Sequence, residues 1–434
     1  MLNSEKPREI AYSALLRREA SHQFVEDLVE QALAKASLRP VDRRLVQELA
    51  YGVARWQRTL DWLIDRKTDH RSQSRAVQTL LRLGLYQLFW LDRVPDHAVV
   101  SETVQAAKQH ASAREAGFVN AILRAYTRER TQTIDLLSQL KSENPAIGTS
   151  HPDWIVKRWA LRYGVDASVR LLDWNNTPAR VFARINTLRA PQEITLQQWQ
   201  SEGIVSHSFS APWLQEAGVY ELESISGLTQ LESFQKGLFY LQDPSTLAAV
   251  QLLAPVPGDQ VLDRCAAPGG KTAYIAQLLE NKGRILAQDT HRRRITQLEE
   301  NIERLGIACV EPQHLLEKTS APDQDFDRIL LDAPCSNTGV MRRRIDLRWR
   351  ITHEELKRLQ GIQLELVTES ANRLKPHGTL VYSTCSLEPE ENNEVVREFL
   401  EKNPGFECTK ETSLDPMSHG VDGCYAARIR RTGS

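Results

Sequence analysis

The sequence predicts a multidomain protein with an all-α N-terminal domain, a small α+β connector and an α/β domain built on a doubly wound, mostly parallel sheet. The chain has 434 residues, and a typical domain has about 150, so about three domains are expected. Apolar residues recur at helical spacing early in the chain, whereas short apolar strands alternate with helices late in the chain. We expect the domains to cover residues 1–145, 146–241 and 242–434.

The N-terminal domain is predicted to be helical because its apolar residues fall on one helix face. Steps of three and four residues connect a set that follows Pro40-Val41-Asp42, a typical helix start. The set is Leu45, Leu49, Val53, Trp56, Leu60 and Leu63. Further helices are predicted from Leu80 to Phe89 and around Phe118 to Leu123.

The connector is predicted to begin after a segment rich in turn-forming residues, from Ser142 to Pro152. Its stretch from Trp154 to Leu172 has the pattern of a helix. Val181–Ile185 and Gly237–Leu241 are rich in β-branched and aromatic residues, which favours short strands.

The C-terminal domain is predicted from its alternation of strands and helices. Continuous apolar strands between helices are typical of a parallel sheet that is buried on both faces. The strand candidates are Gln260–Leu262, Arg284–Ala287, Arg328–Leu331 and Thr379–Tyr382, and the clearest helix candidate is Glu354–Leu374.

Composition excludes several classes of protein. Hydrophobic residues make up 41% of the chain and charged residues 26%, which is typical of globular proteins and not of disordered or collagen-like chains. No window approaches the ~20 apolar residues of a membrane span, and the first residues lack the apolar core of a secretory signal. The six cysteines include no C-x-x-C pair, which argues against zinc and against a disulfide framework. We expect a cytoplasmic protein without metal or membrane association, and nothing demands more than a monomer.

Charge is unevenly distributed along the chain. Residues 1–145 hold 22 basic and 18 acidic side chains, whereas the remainder holds 33 and 38. A polyanion partner for the N-terminal domain is one interpretation, and ordinary solvated helix faces are the simpler one on charge alone. Both interpretations stay open for the basic residues Arg39, Arg43, Arg44, Arg55 and Arg58.

The first candidate site is the segment 263–272, DRCAAPGGKT, which follows the first strand and opens a helix. Its small residues let backbone N–H groups approach a ligand at the positive end of the helix. It has neither the Walker A spacing nor G-x-G-x-x-G. Asp289 ends the next strand, where a carboxylate can accept both ribose hydroxyls of a nucleoside cofactor. A turn that only packs, and a helix cap at Asp289, are the structural alternatives.

Two cysteines follow strand ends in the same domain. Cys335 lies in DAPCSNTG (332–339) and Cys385 in STCS (383–386). A lone cysteine is usually an inert, buried thiol. Two of them beside Asp332, at the edge where open α/β sheets assemble their ligand crevice, favour a reactive role. The other four cysteines are predicted to be inert, with Cys265 contributing mainly its backbone.

These three motifs, in this order, resemble those of the Sun-type family of RNA cytosine-C5 methyltransferases, which use S-adenosylmethionine and have a Rossmann-like catalytic domain. The segment FVNAILR (118–124) is similar to the antitermination factor NusB, an RNA-binding helical protein. The whole chain thus resembles the bacterial enzymes that combine these parts and act on cytosine 967, in conventional numbering, of 16S ribosomal RNA.

The resemblance implies a role for each candidate residue. Carbon 5 of cytosine becomes nucleophilic only after a thiolate adds to carbon 6, so a covalent intermediate is needed. By resemblance Cys385 is that nucleophile, Cys335 assists removal of the carbon-5 proton, and Asp332 holds the cytosine edge. A free cysteine has a pKa of about 8.5, so a helix end or a cation such as Lys271 must favour the thiolate. The residues implied to bind S-adenosylmethionine are Cys265, Ala266, Ala267, Pro268, Gly269, Gly270, Lys271, Asp289 and Asp332.

The chain also departs from the family pattern. The family usually has an acidic residue after the third strand for the adenine amino group, but this chain has Val310-Glu311-Pro312-Gln313-His314. His314, a backbone group or Glu311 from a shifted turn could take that contact. Asn337 and Cys424 replace a small residue and a phenylalanine, and the family's usual His-Pro is absent at 343–346. None of these changes removes a catalytic group.

The target base must be single-stranded or flipped out, because a stacked base does not expose both faces of its reacting carbons. Basic and aromatic residues just beyond Cys335 could bind phosphates and stack on a base, or could form an exposed basic helix start. They are Arg342, Arg343, Arg344, Arg348 and Trp349.

Two other functions compete with this prediction. The same chemistry could act on transfer RNA or on another rRNA position, because the catalytic motifs do not encode the RNA. A passive RNA-binding antitermination or assembly factor is the non-enzyme alternative. The presence of both Cys335 and Cys385 argues against it, since a passive protein needs no thiolates.

Overall fold

A computed structural model describes residues 6–432 except residues 22, 216–217, 224, 226 and 316–324. The chain forms two compact units. The first comprises residues 1–177 and 341–350, and the second comprises residues 178–340 and 351–434. The predicted boundaries after residues 145 and 241 fall inside these units and stay predictions. No helix in the described part of the chain combines the length and apolarity needed to cross a bilayer.

The first unit is helical, as predicted. Its helices pack around one apolar core formed by residues such as Leu28, Leu49, Leu81 and Val119, all fully buried. The helices are α1 (Pro7–Ala20), α2 (Val25–Lys35), α3 (Pro40–Arg55), α4 (Gln57–Thr68), α5 (Arg75–Trp90), α6 (Asp96–His110), α7 (Ala113–Arg128), α8 (Arg130–Glu143), α9 (Pro145–Gly148), α10 (Asp153–Tyr163) and α11 (Val165–Asn176).

Two predicted helices are each divided in two. The apolar set from Leu45 to Leu63 spans both α3 and α4, which meet at Trp56. The buried face continues across this break, so the spacing of the apolar residues alone does not reveal the break. The predicted helix 154–172 is interrupted at Gly164, whose φ of +82° is outside helical geometry.

The N-terminal basic residues mostly have partners within the chain. Arg39 pairs with Asp42, and an Arg43 Nη donates to the Leu33 carbonyl at 2.9 Å. Arg58 pairs with Asp153 and Arg55 is largely buried. Arg44 is exposed. These contacts support a structural role for Arg39, Arg43, Arg55 and Arg58, and not a role in binding a polyanion.

The segment 341–350 contributes to the core of this helical unit, and the burial of Arg342 and Arg348 corrects the prediction that these two side chains bind RNA. For Arg343, Arg344 and Trp349, which are not buried, RNA binding stays a prediction. Arg342 and Arg348 are buried, and Arg348 donates to Asn176 Oδ1 at 2.8 Å and to the Asn175 carbonyl at 3.1 Å. The Trp349 indole donates to the Ala54 carbonyl at 2.8 Å. Nor is the segment an exposed helix start, since it forms a 3₁₀ turn over Ile345–Trp349 with Ile345 in the core.

Asp346 fixes this segment through buried hydrogen bonds, and its loss should destabilise the helical unit. Its carboxylate is fully buried and accepts from Arg18 Nε at 2.5 Å and from the Val25 N–H at 2.6 Å. Asp346→Ala leaves both donors without an acceptor, so we expect the free energy of unfolding to fall by about 3 kcal/mol. Urea unfolding followed by tryptophan fluorescence measures this.

Asp42→Ala is the matched control for that measurement. Asp42 pairs with Arg39, whose side chain is 78% exposed, and solvent screening leaves an exposed pair with little effect on stability. Equal destabilisation by the two variants would contradict the assigned role of Asp346.

The second unit begins with a small four-stranded antiparallel sheet in the order β2-β3-β1-β4. The predicted strand at Val181–Ile185 has those bounds, and the second predicted strand is shorter than expected. A compact core forms around Trp199 and Phe239. The elements are β1 (Val181–Ile185), α12 (Gln192–Ser201), β2 (Val205–Ser208), β3 (Val219–Glu223), α13 (Glu232–Gln235) and β4 (Phe239–Leu241).

A seven-stranded sheet follows, in the order β10-β11-β9-β8-β5-β6-β7 among the described strands. Its elements are α14 (Leu247–Leu253), β5 (Gln260–Arg264), α15 (Gly270–Leu278), β6 (Arg284–Asp289), α16 (Arg292–Leu305), β7 (Val310–His314), β8 (Phe326–Asp332), α17 (His353–Ala371), β9 (Leu374–Thr384), α18 (Asn393–Lys402), β10 (Phe406–Leu414), α19 (Pro416–His419) and β11 (Cys424–Arg431).

The topology of this sheet determines where a ligand can bind. Strands β5 to β9 pair in parallel, whereas β10 and β11 pair antiparallel. The strand order reverses between β5 and β8, which are neighbours. In open α/β sheets, ligands bind at such a switch point, beyond the carboxyl ends of the strands.

Candidate active site

The predicted site residues gather at the carboxyl edge of the parallel strands. The loop 265–269 follows β5, Asp289 ends β6, and Asp332 ends β8. Cys385 follows β9 directly. The three motifs and Asp289 are separate in sequence, and the parallel pairing of β6-β5-β8-β9 is what brings them to one edge.

The backbone of the loop after β5 enters the left-handed region at two positions. Cys265 has a φ of +66° and Gly269 a φ of +105°, and the Ala267–Pro268 bond is cis. The Ala266 N–H donates to the Gln288 carbonyl at 2.9 Å, which joins the loop to β6. Helix α15 begins at Gly270, so its first N–H groups lie next to the loop.

Two carboxylates beside this loop keep unused acceptor atoms. Asp263 is fully buried, and its Oδ1 has no hydrogen-bond partner among the described residues, while Thr272 donates to Oδ2 at 2.6 Å. Burial raises the pKa of Asp263 to about 7, although the Thr272 hydrogen bond opposes the shift. Asp289 accepts the His291 N–H through Oδ1 at 2.9 Å, and its other oxygen has no hydrogen-bond partner among the described residues. The loop and these oxygens fit a nucleoside cofactor.

The register of β7 distinguishes the two side chains considered for the missing aspartate. His314 pairs in register with Asp289, whereas Glu311 pairs with Leu286, three residues before the edge. Glu311 also forms an ion pair with Arg284. Of the two side chains considered, only that of His314 reaches the carboxyl edge. Its Nε2 donates to the Thr290 carbonyl at 3.1 Å, so in the neutral ring Nδ1 is an acceptor.

Asp332 and Lys271 form an ion pair next to the cysteines. Lys271 Nζ lies 2.7 Å from Asp332 Oδ2, and Ser383 Oγ donates to Asp332 Oδ1 at 2.9 Å. Burial alone would lower the pKa of Lys271, but the attraction and hydrogen bond of Asp332, with further attraction from Cys385, hold it above its ordinary value. Lys271 is therefore a cation beside Cys385.

The two predicted catalytic cysteines are in direct contact. Their Sγ atoms are 3.4 Å apart, and both side chains are only partly buried. The hydrogen bond with Cys385 and burial, with the charges of Cys385 and Glu391, hold the pKa of Cys335 well above its ordinary value. Asn337, at a φ of +58°, accepts from Cys385 Sγ at 3.0 Å.

Sequence reasoning missed Glu391, which links the two cysteine loops. Its buried carboxylate accepts from the Ser336 N–H at 2.8 Å, from both the Ser336 and Ser386 hydroxyls, and from Gln363 Nε2 at 3.1 Å. Each serine is the residue after a cysteine, so Glu391 fixes the separation of the two sulfurs. The only sequence signal was an acidic residue between β9 and α18, which does not differ from its acidic neighbours.

Gly339 holds the same loops by close backbone contact. Its N–H donates to the Cys385 carbonyl at 2.9 Å, and its carbonyl accepts the Gly423 N–H at 2.9 Å. A Cβ at this position would lie 2.8 Å from the Cys385 carbonyl oxygen. A glycine is therefore required where the chain leaves the second motif.

The other cysteines show no sign of reactivity. Burial raises the pKa of Cys265 and of Cys424 to about 12, and that of Cys408 to about 11. Burial also raises the pKa of Cys309. None of the six cysteines forms a disulfide.

Family profiles match three parts of the chain. The NusB family profile matches residues 5–128, the Methyltr_RsmF/B-like ferredoxin-like domain matches residues 151–217, and the 16S rRNA methyltransferase RsmB/F profile matches residues 250–429. A relative from Bacillus subtilis (strain 168), the probable ribosomal RNA small subunit methyltransferase B, is 34% identical over 451 residues, with 98% of this chain and 99% of the relative covered.

Solved structures share the fold. The crystal structure of PH0851 matches with a TM-score of 0.78 and 24% identity, covering 99% of this chain and 100% of that chain. The structure of NSun6 from Pyrococcus horikoshii with SFG matches with a TM-score of 0.58 and 24% identity, covering 65% of this chain and 99% of that chain.

The comparisons confirm the predicted fold class, with its helical N-terminal domain, α+β connector and doubly wound α/β domain. They also confirm the resemblance to Sun-type methyltransferases. The relative's identity and its nearly complete coverage determine the family. The chain belongs to the 16S rRNA methyltransferase RsmB/F family of S-adenosylmethionine-dependent enzymes.

Proposed function

We propose that this chain transfers a methyl group from S-adenosylmethionine to carbon 5 of a cytosine in 16S rRNA, through a covalent adduct between Cys385 and carbon 6. The observation that carries the proposal is the pair of sulfurs 3.4 Å apart, next to the ion pair of Lys271 and Asp332. A methyl transfer to nitrogen or oxygen needs no thiolate. Transfer to carbon 5 needs a thiolate that adds to carbon 6 and a second group that removes the proton from carbon 5. Cytosine 967 is the expected position.

The cofactor would be held by the loop Cys265–Lys271, by Asp289 and by Asp332. When bound, it supplies an electrophilic methyl group and the positive charge of its sulfonium. The unused oxygens of Asp263 and Asp289 suit cationic and hydroxyl groups, respectively. Nδ1 of His314 would accept a hydrogen bond from the adenine amino group, in place of the family's usual carboxylate.

The fit of the loop depends on Gly269, and its substitution should weaken cofactor binding. Gly269 has a φ of +105°, and a Cβ there would lie 2.6 Å from Leu298 Cδ1. Gly269→Ala must therefore displace the buried Leu298 side chain, the loop or α16. We expect at least about a tenfold loss of affinity for S-adenosylmethionine, or about 1.4 kcal/mol, measured by isothermal titration calorimetry.

Gly258→Ala separates this contact from backbone strain. Gly258 has nearly the same φ, +102°, but a Cβ there would have no atom within 4 Å among the described neighbours. Both alanines share the cost of a positive φ, about 1–2 kcal/mol, so only Gly269→Ala should lose cofactor affinity. Equal loss in both variants would refute the role of the Leu298 contact.

Cys385 would start the reaction as a thiolate. The Lys271 ammonium favours that negative charge, whereas the hydrogen bond to Asn337 Oδ1 exists only while Cys385 is a thiol. The Sγ–C6 bond forms, and the electrons of the C5–C6 double bond make carbon 5 nucleophilic. Asp332 would accept a hydrogen bond from the cytosine amino group and keep the ring oriented.

Cys335 would complete the reaction as a base. The hydrogen bond to Cys385 is the largest cause of its raised pKa, and formation of the Sγ–C6 bond removes that cause. Cys335 then gives up its own proton to solvent more readily and, as a thiolate, takes the proton from carbon 5. The electrons of the C5–H bond restore the double bond, and Cys385 leaves as a thiolate.

The three predicted domains would have different roles in binding and modifying the RNA. We propose that residues 1–145 bind rRNA as a NusB-like domain, that residues 146–241 connect, and that residues 242–434 catalyse. The substrate would be a single-stranded or flipped-out cytosine, because both of its reacting carbons must be reached. The protein would work as a monomer without metal in the cytoplasm, where thiols stay reduced.

The test is transfer of labelled methyl from S-adenosylmethionine to unmodified 16S rRNA, followed by nuclease digestion. Labelled 5-methylcytosine at a single position would support reaction, substrate and specificity together. Label only on transfer RNA or 23S rRNA would keep the chemistry and overturn the substrate. No label on any RNA would favour a passive RNA-binding factor.

A further inference from the structure

The N-terminal turn of α16 carries three consecutive arginines that no part of the site description has used. Arg292, Arg293 and Arg294 are all exposed. Their side chains make no hydrogen bond or ion pair with any residue that the structure describes. Other arginines of this unit do have acidic partners: Arg264 pairs with Glu369, Arg284 with Glu311 and Arg328 with Asp259.

Apart from Arg304 in the last turn, the charges of α16 run against its helix dipole. The first turn has three arginines and no acidic residue, whereas cations stabilise the other end of a helix. Glu299, Glu300 and Glu303 lie in the C-terminal half, where negative charge is unfavourable. The arginines therefore do not serve the stability of their own helix.

Helix α16 is fixed directly against the cofactor loop. Asn301 Nδ2 donates to the Pro268 carbonyl at 3.0 Å, and Leu298 packs over Gly269. Ile295, which follows the three arginines, shares an apolar cluster with Ala266. The arginine patch, defined as Arg292–Arg294, thus begins three residues after Asp289 at the carboxyl edge that also carries Cys385.

We propose that the arginine patch binds the phosphate backbone of the RNA substrate beside the target cytosine. Guanidinium groups bind phosphate oxygens in a bidentate manner, and contacts of this kind position an RNA without reading its sequence. S-adenosylmethionine has no phosphate, and its single carboxylate cannot neutralise three guanidinium groups. This inference rests on the proposed function only in taking RNA as the substrate.

The test compares two triple variants that remove the same charge from opposite edges of the sheet. The first is Arg292→Gln/Arg293→Gln/Arg294→Gln. The control is Lys282→Gln/Arg284→Gln/Lys375→Gln, at the end where β6 and β9 begin. Affinity for an unmodified 16S rRNA fragment containing the target cytosine is measured by fluorescence anisotropy over a series of salt concentrations.

We expect the first variant to lose at least about tenfold in RNA affinity at 0.1 M salt, and the control to lose less than about threefold. Loss of three phosphate contacts on single-stranded RNA should reduce the slope of log affinity against log salt by about 2. Affinity for S-adenosylmethionine and the melting temperature should not fall, because the arginines support neither the cofactor nor the helix.

An unchanged salt slope, or equal losses in the two variants, would overturn the proposal. A parallel loss of RNA affinity and cofactor affinity in the first variant would also overturn the proposal, because the arginine patch would then act through the cofactor loop. The experiment measures binding and does not require methyl transfer. A wild-type protein that binds the RNA without methylating it would refute the proposed reaction. The arginine patch would still be tested by the binding data of the two variants.

Discussion

Cys385→Ala is expected to abolish methyl transfer and to leave RNA binding largely intact. The alanine cannot add to carbon 6, so carbon 5 remains too weak a nucleophile to take the methyl group. Loss of the nucleophile from a covalent enzyme costs at least about 10⁴-fold in turnover. The sulfur is partly buried and its neighbours are fixed by Glu391, so the fold should tolerate the smaller side chain. Labelled methyl transfer and RNA anisotropy on the same preparation measure both effects.

Cys408→Ala is the matched control. Cys408 is also a partly buried free thiol of the second unit, but it lies on β10, two strands away from β9 in the sheet. Its variant should keep full activity. Substantial turnover by Cys385→Ala would show that another residue is the nucleophile.

Cys335→Ala is expected to trap the enzyme on its RNA. Cys385 can still add to carbon 6 and the methyl group can still be transferred, but no thiolate removes the carbon-5 proton. The adduct should therefore accumulate when S-adenosylmethionine is present. Labelled rRNA would migrate with the protein on a denaturing gel, while turnover falls by about 10²–10⁴-fold, the usual contribution of a positioned base.

The double variant Cys335→Ala/Cys385→Ala tests whether the trapped bond is the one proposed. It lacks the attacking sulfur and should give no denaturant-resistant complex. A complex that persists in the double variant would place the covalent bond elsewhere. Normal turnover by Cys335→Ala without any adduct would remove Cys335 from the mechanism.

The sequence predicted the positions of the motifs better than the contacts between them. Parallel strands end at one edge, so residues after β5, β6, β8 and β9 had to converge. The position of His314 beside Asp289 needed the register of β6 and β7. The role of Glu391 could not be predicted, because its partners Ser336 and Ser386 come from two different loops.

The segment 341–350 shows where local patterns mislead. A run of arginines predicts an exposed surface, because burying a guanidinium is costly without acceptors. Arg348 obtains its acceptors from Ser150, Asn175 and Asn176, nearly two hundred residues earlier. Burial lowers its pKa to about 9. Nothing near Arg348 in the sequence indicates those partners.

The same segment limits how this protein can be dissected or recombined. A recombinant fragment ending at Thr177 would lack Ile345, which fills part of its apolar core, and Asp346, which accepts from Arg18. Such a fragment should be less stable than the same helices in the intact chain. A gene fusion that moves the helices as one continuous piece would leave ten of their own residues behind. The helical unit is therefore not a transferable module, and any graft of it must carry the peptide 341–350 as well.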